Sequence, residues 1–262
     1  MYDFNYQRAS SIEDAASKHA AADDARYLAG GMTMVPVLKQ RLDQPSDVVD
    51  LGGLGDLTGI SEDGGAIAIG AMTTHHDVAT SDLVKSKIPA LADLAGTIGD
   101  PMVRNRGTIG GSLANNDPAA SYPAAVLGLG ATIRTNKRSI EADDFFTGMF
   151  DTALEEGELI TAVSFPVPEQ AGYKHFPNPA SRFPIVGAFV AKTGGGVRVG
   201  ITGASPCAYR QSSFEDALSG GLDPESLKGI EVSSDGMNSD IHASAEYRAH
   251  LVNVMARRAI GG

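Results

Sequence analysis

Residues 29–33 read Ala29-Gly30-Gly31-Met32-Thr33, and residues 108–112 read Thr108-Ile109-Gly110-Gly111-Ser112. Each segment joins two glycines to a hydroxyl residue. The first lies between the strand-like run Arg26-Tyr27-Leu28-Ala29 and a helical spacing of Val35, Leu38 and Leu42. Backbone without side chains lets successive N–H groups converge on an anion, and a following helix N-terminus adds favourable potential. Taken alone, Gly-Gly before a helix is a turn signal. Two loops of matching form, in a chain with neither G-x-G-x-x-G nor G-x-x-x-x-G-K-[ST], point to a pyrophosphate held without a lysine.

Outward from the first loop, Ser11 to Ala22 reads as a short helix with Glu13 and Asp14 in its first turn, and Val48 to Leu51 as a strand. Residues 1 to about 55 therefore form a βαβ-like unit. From Leu57 the pattern turns antiparallel. Ile60–Glu62 and Ala66–Ile69 flank Asp63-Gly64-Gly65 as a hairpin, Thr74 caps a helix into Ala79, and Pro89 opens another helix. Strands are expected at Ala131–Thr135 and Leu159–Phe165, after which Pro166-Val167-Pro168 places a domain boundary near residue 168. Beyond it, Ile185–Lys192 and Val197–Ile201 form a hairpin across Thr193-Gly194-Gly195-Gly196. The spacing predicts a helix over 243–258 with Tyr247, Leu251, Val254 and Met255 inward.

The 262 residues are 42% hydrophobic and carry a formal net charge of −11, which opposes nucleic acid and anionic membrane surfaces as partners. A single cysteine, Cys207, excludes a four-thiolate cluster built by this chain alone, and it is read as a buried structural thiol. His75-His76 has no H-x-x-x-H or H-E-x-x-H spacing, so capping or surface roles are expected and no metal. Arg104 and Arg106 could neutralise phosphate or pair with an acidic surface. The start lacks a basic and an apolar region, and the longest near-apolar stretch, Ala124 to Ile133, is too short to span a bilayer. The expectation is a cytoplasmic chain without an integral membrane segment.

Over nearly its whole length the chain resembles the FAD-binding medium subunits of the molybdenum hydroxylases, the family of bacterial carbon monoxide dehydrogenase and xanthine dehydrogenase. The resemblance is carried by Ala29 to Thr33, by Gly70-Ala71-Met72-Thr73-Thr74-His75, and by the run from Ile98 to Ala114. Asp117-Pro118-Ala119-Ala120 and Ala142-Asp143-Asp144-Phe145-Phe146 extend it. It implies an α+β fold, with a two-subdomain FAD-binding domain of the PCMH type over residues 1–168 (subdomains about 1–55 and 56–168). A C-terminal domain of antiparallel strands and helices follows over 169–262.

By the same resemblance, noncovalent FAD lies between the subdomains, with its pyrophosphate on the Ala29–Thr33 and Thr108–Ser112 loops. Ile98 lies against adenine, Asp117 sits near the cofactor and Ile160 lines the pocket. Molybdopterin and [2Fe-2S] clusters are expected only in a large and a small partner subunit, in a heterohexamer, and no catalytic residue is assigned to this chain. Two departures stand out: Pro177 follows Phe176 where relatives often carry a basic residue, and Ser181-Arg182-Phe183 replaces the Gly-Asp-Tyr of carbon monoxide dehydrogenases. Met32 replaces a common polar residue in the first loop. The rival readings are a self-sufficient flavin oxidase or reductase on the same fold, which would need a local acid–base pair, and an FAD-free interaction module.

Overall fold

The computed structural model describes residues 1–261. Its first unit runs β1 (Asn5–Arg8), α1 (Ile12–Ala21), β2 (Ala25–Leu28), α2 (Met34–Lys39) and β3 (Asp47–Asp50). The Ser11 side chain starts α1 by accepting from the Asp14 N–H at 3.0 Å, next to the acidic first turn that the helix dipole favours. β3 lies between β1 and β2 and is parallel to both, a pairing that requires helical crossovers. Val48 and Val49 at its centre are buried. α2 ends at Lys39, so Leu42 falls beyond it and is exposed, contrary to the inward position its spacing suggests.

The second unit comprises β4 (Ile60–Asp63), β5 (Ala66–Gly70), α3 (His75–Thr80), α4 (Asp82–Lys87), α5 (Pro89–Thr97), α6 (Pro101–Arg104), α7 (Ile109–Asn115) and α8 (Tyr122–Leu129). It continues through β6 (Thr132–Thr135), β7 (Ser139–Glu141), α9 (Ala142–Phe145), β8 (Phe146–Gly148), β9 (Asp151–Thr152) and β10 (Ile160–Pro166). The strands β4-β5-β10-β6-β7 form one antiparallel sheet, and β8 pairs with β9. Thr74 caps α3 by accepting from the Asp77 N–H, as its position before the helix suggests.

The third unit is an antiparallel sheet of β11 (Gln170–Pro177), β12 (Pro184–Thr193), β13 (Gly196–Thr202) and β14 (Tyr209–Arg210). It is backed by α10 (Ser212–Ala217) and α11 (Ala245–Gly261). α8 is buried at every position and packs on β12 and β13. A helix apolar all round needs such cover on all sides, which explains the near-apolar stretch from Ala124. A Cβ at Gly200 would lie 2.1 Å from the Ala124 carbonyl oxygen, so only glycine lets α8 rest on β13. Tyr173, Phe189 and Ala191 consequently join the core of the preceding unit, and one hydrophobic core crosses the Pro166-Val167-Pro168 junction.

β11 is absent from the sequence reading. Its residues alternate poorly, and it is held as an edge strand by its register with β12, where Tyr173 faces Phe189. On α11, Leu251 and Met255 are buried as the spacing predicts, whereas Tyr247 is exposed and Val254 half-buried.

Candidate functional site

A cleft of about 810 Å³ opens at the carboxyl end of β2, and all three units contribute to its walls. Ligand crevices of this size at strand C-termini are common in sheets with parallel strands. The first glycine loop leaves β2 with Gly31 at φ +73°, a left-handed conformation that glycine adopts without strain. A Cβ on Gly30 would lie 1.9 Å from the Arg106 carbonyl oxygen, so the first loop meets, backbone against backbone, the Arg106-Gly107 segment that leads into the second. Among the described residues, no acceptor pairs with the N–H groups of Gly30, Gly31, Met32 and Thr33, and all four residues line the cleft. These are the donors an anion would engage.

The second loop differs from the expectation. Thr108 caps α7, and the first N–H groups of this helix are already engaged: Ile109 donates to Thr73 O (3.1 Å) and Gly110 to Ala71 O (2.8 Å). Gly111 donates to Thr108 Oγ1 (3.2 Å) and Ser112 to Thr108 O (3.0 Å). The reason is packing, because α7 is pressed onto the end of β5, where a Cβ on Gly110 would stand 2.6 Å from that of Ala71. This loop therefore offers the cleft the hydroxyls of Thr108 and Ser112, with no converging row of N–H groups. Its Ile109 is wholly buried in the core and does not line the cleft.

Ile98, Asp117 and Ile160 all line the cleft, with Ala29 beside the first loop. Asp117 is oriented by the Ala119 N–H, which donates to Oδ1 at 2.8 Å. Its neighbour Asn116 adopts φ +40° at the end of α7, and its Nδ2 donates to Gly148 O (2.9 Å) and Asp151 O (2.7 Å). Nδ2 also faces Cys207 Sγ at 3.8 Å, and that thiol is half-buried, less enclosed than expected. Arg104 donates to Ile98 O (3.1 Å) and Gly99 O (3.4 Å), so it fixes the segment carrying Ile98 and pairs with no acidic surface among the described residues. Phe176 turns away from the cleft and meets Tyr247 edge-on at 6.2 Å.

Sequence reasoning missed Ser121 and Glu158 and gave His75 only a capping or surface role; all three line the cleft, as do Arg182 and Phe183 of the departing segment. His75 is buried and not on the surface; burial, reinforced by the Arg104 charge, lowers its pKa to about 4 and keeps the ring neutral. Burial raises the pKa of Glu158, but the Arg138 guanidinium, the Glu155 N–H and the Thr135 hydroxyl outweigh it and bring it to about 2. Thr74 before His75 and Ser121 before Tyr122 were the available signals, both being residues at helix starts. Arg182 has φ +64°, which nothing in the residue type announces.

Four free N–H groups, the hydroxyls of Thr33, Thr108 and Ser112, and apolar walls at Ile98 and Ile160 suit a dinucleotide whose centre is a pyrophosphate. The model of the FAD-binding domain in molybdopterin dehydrogenases matches residues 2–168. The chain belongs to this family. It is 37% identical to the nicotine 6-hydroxylase medium subunit of Paenarthrobacter nicotinovorans, over 97% of this chain and 95% of that one. It is 35% identical to the carbon monoxide dehydrogenase medium chain of Afipia carboxidovorans, over 98% and 95%. The solved structure of reconstituted CO dehydrogenase from Oligotropha carboxidovorans superposes with a TM-score of 0.90 at 34% identity, covering 99% of this chain and 97% of that one.

Membership makes the chain an FAD-binding electron-transfer component of an oxidoreductase complex. Its type is the medium subunit of molybdenum hydroxylases, in which molybdopterin and iron–sulfur centres belong to other subunits. Among the described residues, no helix is long and apolar enough to cross a membrane.

Proposed function

We propose that the pyrophosphate of FAD lies against the N–H groups of Gly30 to Thr33, with the hydroxyls of Thr108 and Ser112 completing the cradle from the opposite side. The observation that carries this reading is the row of uncommitted N–H groups on the first loop. Ile98 and Ile160 supply apolar walls, and Asp117 stands where a polar edge of the cofactor comes to rest. When bound, FAD supplies the exchange between one-electron transfer from iron–sulfur clusters and two-electron delivery to an external acceptor. The residues of this chain bind, orient and shield the cofactor. His75, held neutral beneath the loops, adds no positive charge to the attraction of the phosphates, which is left to the N–H groups and hydroxyls.

The same reading takes residues 1–168 as the FAD-binding domain, in subdomains of about 1–55 and 56–168, and residues 169–262 as a C-terminal flavoprotein domain. It places the chain in the cytoplasm, in a heterohexamer with a large molybdopterin subunit and a small [2Fe-2S] subunit. The test is co-expression with those two partners. The complex is expected to contain flavin, iron, sulfide and molybdenum and to reduce its FAD with the organic substrate, while the chain alone binds FAD and turns over no such substrate. Robust substrate oxidation by the purified chain alone would overturn the assignment in favour of a self-sufficient flavoenzyme.

A further inference from the structure

The His75 side chain, only 5% exposed, opens α3 at the point where the two loops meet. Its backbone N–H donates to Gly107 O (3.0 Å), and a Cβ on Gly107 would lie 2.6 Å from Nε2 and 2.9 Å from Cδ2 of the ring. Gly107 in turn touches the first loop, its Cα lying 2.9 Å from the place where a Cβ of Gly30 would stand. His75, Gly107 and Gly30 are thus in consecutive contact, and two glycines leave only backbone between the imidazole and the row of uncommitted N–H groups.

The two ring nitrogens stand in different surroundings. Nδ1 is sealed from solvent and has no hydrogen-bond partner among the described residues. The Tyr122 ring lies 5.4 Å away, but its hydroxyl is likewise buried without a partner and does not serve Nδ1. Nε2 also lacks a protein partner, yet it is not sealed, and His75 lines the cleft. A neutral imidazole carries one proton, and a sealed donor without an acceptor is rarer and costlier than an unmet lone pair. The proton therefore resides on Nε2, which sets a side-chain N–H at the cleft wall beside the first loop.

We propose that His75 is a cofactor-binding residue whose Nε2–H donates to a phosphate oxygen of the FAD pyrophosphate where the loops converge; the proposal rests on the reading of the cleft as the FAD site. The ring is already held by Gly107 and Tyr122, so it gives up little freedom when the cofactor arrives. Arg26 and Arg182 also line the cleft, but both are exposed: Arg26 pairs with Asp24 and Asp43, and Arg182 reaches Gly99 O at 3.4 Å. Solvent and salt weaken their pull on an anion, whereas a buried N–H acts where the dielectric is low.

The experiment uses the full chain and FAD. The side-chain amide of glutamine extends about as far as Nε2 of histidine, and that of asparagine only as far as Nδ1, so His75→Gln keeps a donor at the cleft and His75→Asn does not. Both variants are checked by circular dichroism and titrated with FAD by calorimetry. His75→Asn is expected to lose about tenfold in affinity, the worth of one hydrogen bond to a charged acceptor, and His75→Gln to stay within about threefold of the wild type. The ³¹P resonances of bound FAD are expected to move in His75→Asn and to hold their positions in His75→Gln. In the wild-type chain labelled with ¹⁵N-histidine, the His75 signal, identified by its loss in His75→Gln, is expected to show the Nε2–H tautomer and to shift when FAD is added. Wild-type affinity or unmoved ³¹P resonances in His75→Asn, equal losses in the two variants, or a ring protonated at Nδ1 or indifferent to FAD would refute this proposal and leave the cleft reading standing. A chain that takes up no FAD would refute both.

Discussion

Gly31→Ala and Gly110→Ala are alike in the sequence and are expected to diverge in experiment. At Gly31 the backbone is left-handed, and a Cβ would meet side chains and no backbone: Val35 Cγ2 at 3.0 Å, Leu28 Cδ1 at 3.3 Å and Val35 Cβ at 4.0 Å. An L-residue there costs about 1–2 kcal/mol, equivalent to a fall in Tm of about 2–8 °C for a chain of this size. The loop relieves that strain by turning its N–H groups out of the cleft. Losing two charge-assisted hydrogen bonds, each worth at least about 1.5 kcal/mol, lowers FAD affinity about a hundredfold.

At Gly110 the conformation is helical, but the added methyl meets Ala71 Cβ at 2.6 Å, its carbonyl oxygen at 2.8 Å and its Cα at 3.0 Å. Overpacking of about 1–3 kcal/mol and two displaced hydrogen bonds of about 1 kcal/mol each oppose a helix gain of about 1 kcal/mol. The net loss of about 2–4 kcal/mol lowers Tm by about 4–15 °C. The assay is thermal unfolding of the FAD-free proteins beside FAD titration of the folded ones. Wild-type FAD affinity in Gly31→Ala, or an unchanged Tm in Gly110→Ala, would refute the division of labour between the loops.

Asn116→Ala leaves the carbonyls of Gly148 and Asp151 without their donor and places alanine at φ +40°; a loss of about 2–4 kcal/mol is expected in denaturant unfolding. His75 titrates near 4 when folded, below its ordinary 6.5, so the unfolded chain binds the extra proton between these values. Stability should therefore fall as pH drops from about 6.5 to 4, and His75→Gln should flatten that part of the profile. Glu158, held near 2 against an ordinary 4.5, adds a further loss as pH falls from about 4.5 to 2, which Glu158→Gln should remove. Acid or heat should release the flavin as FAD into the supernatant, a result checked by chromatography; flavin retained on denatured chain would contradict noncovalent binding.

The sequence by itself determined the parallel first unit, the hairpin around Asp63-Gly64-Gly65, the helix start at Thr74 and the position of the first glycine loop after a strand. Each of these is a local signal: apolar spacing, a capping side chain or a glycine at a turn. The same kind of signal made the two Gly-Gly loops look equivalent. Tertiary structure separated them, because N–H groups are free or engaged according to what packs beside them, and α7 rests on β5 while the first loop faces open space. Packing also decided that His75 is buried and neutral, that α8 is a wholly enclosed helix, and that β11 is a strand through its pairing with β12.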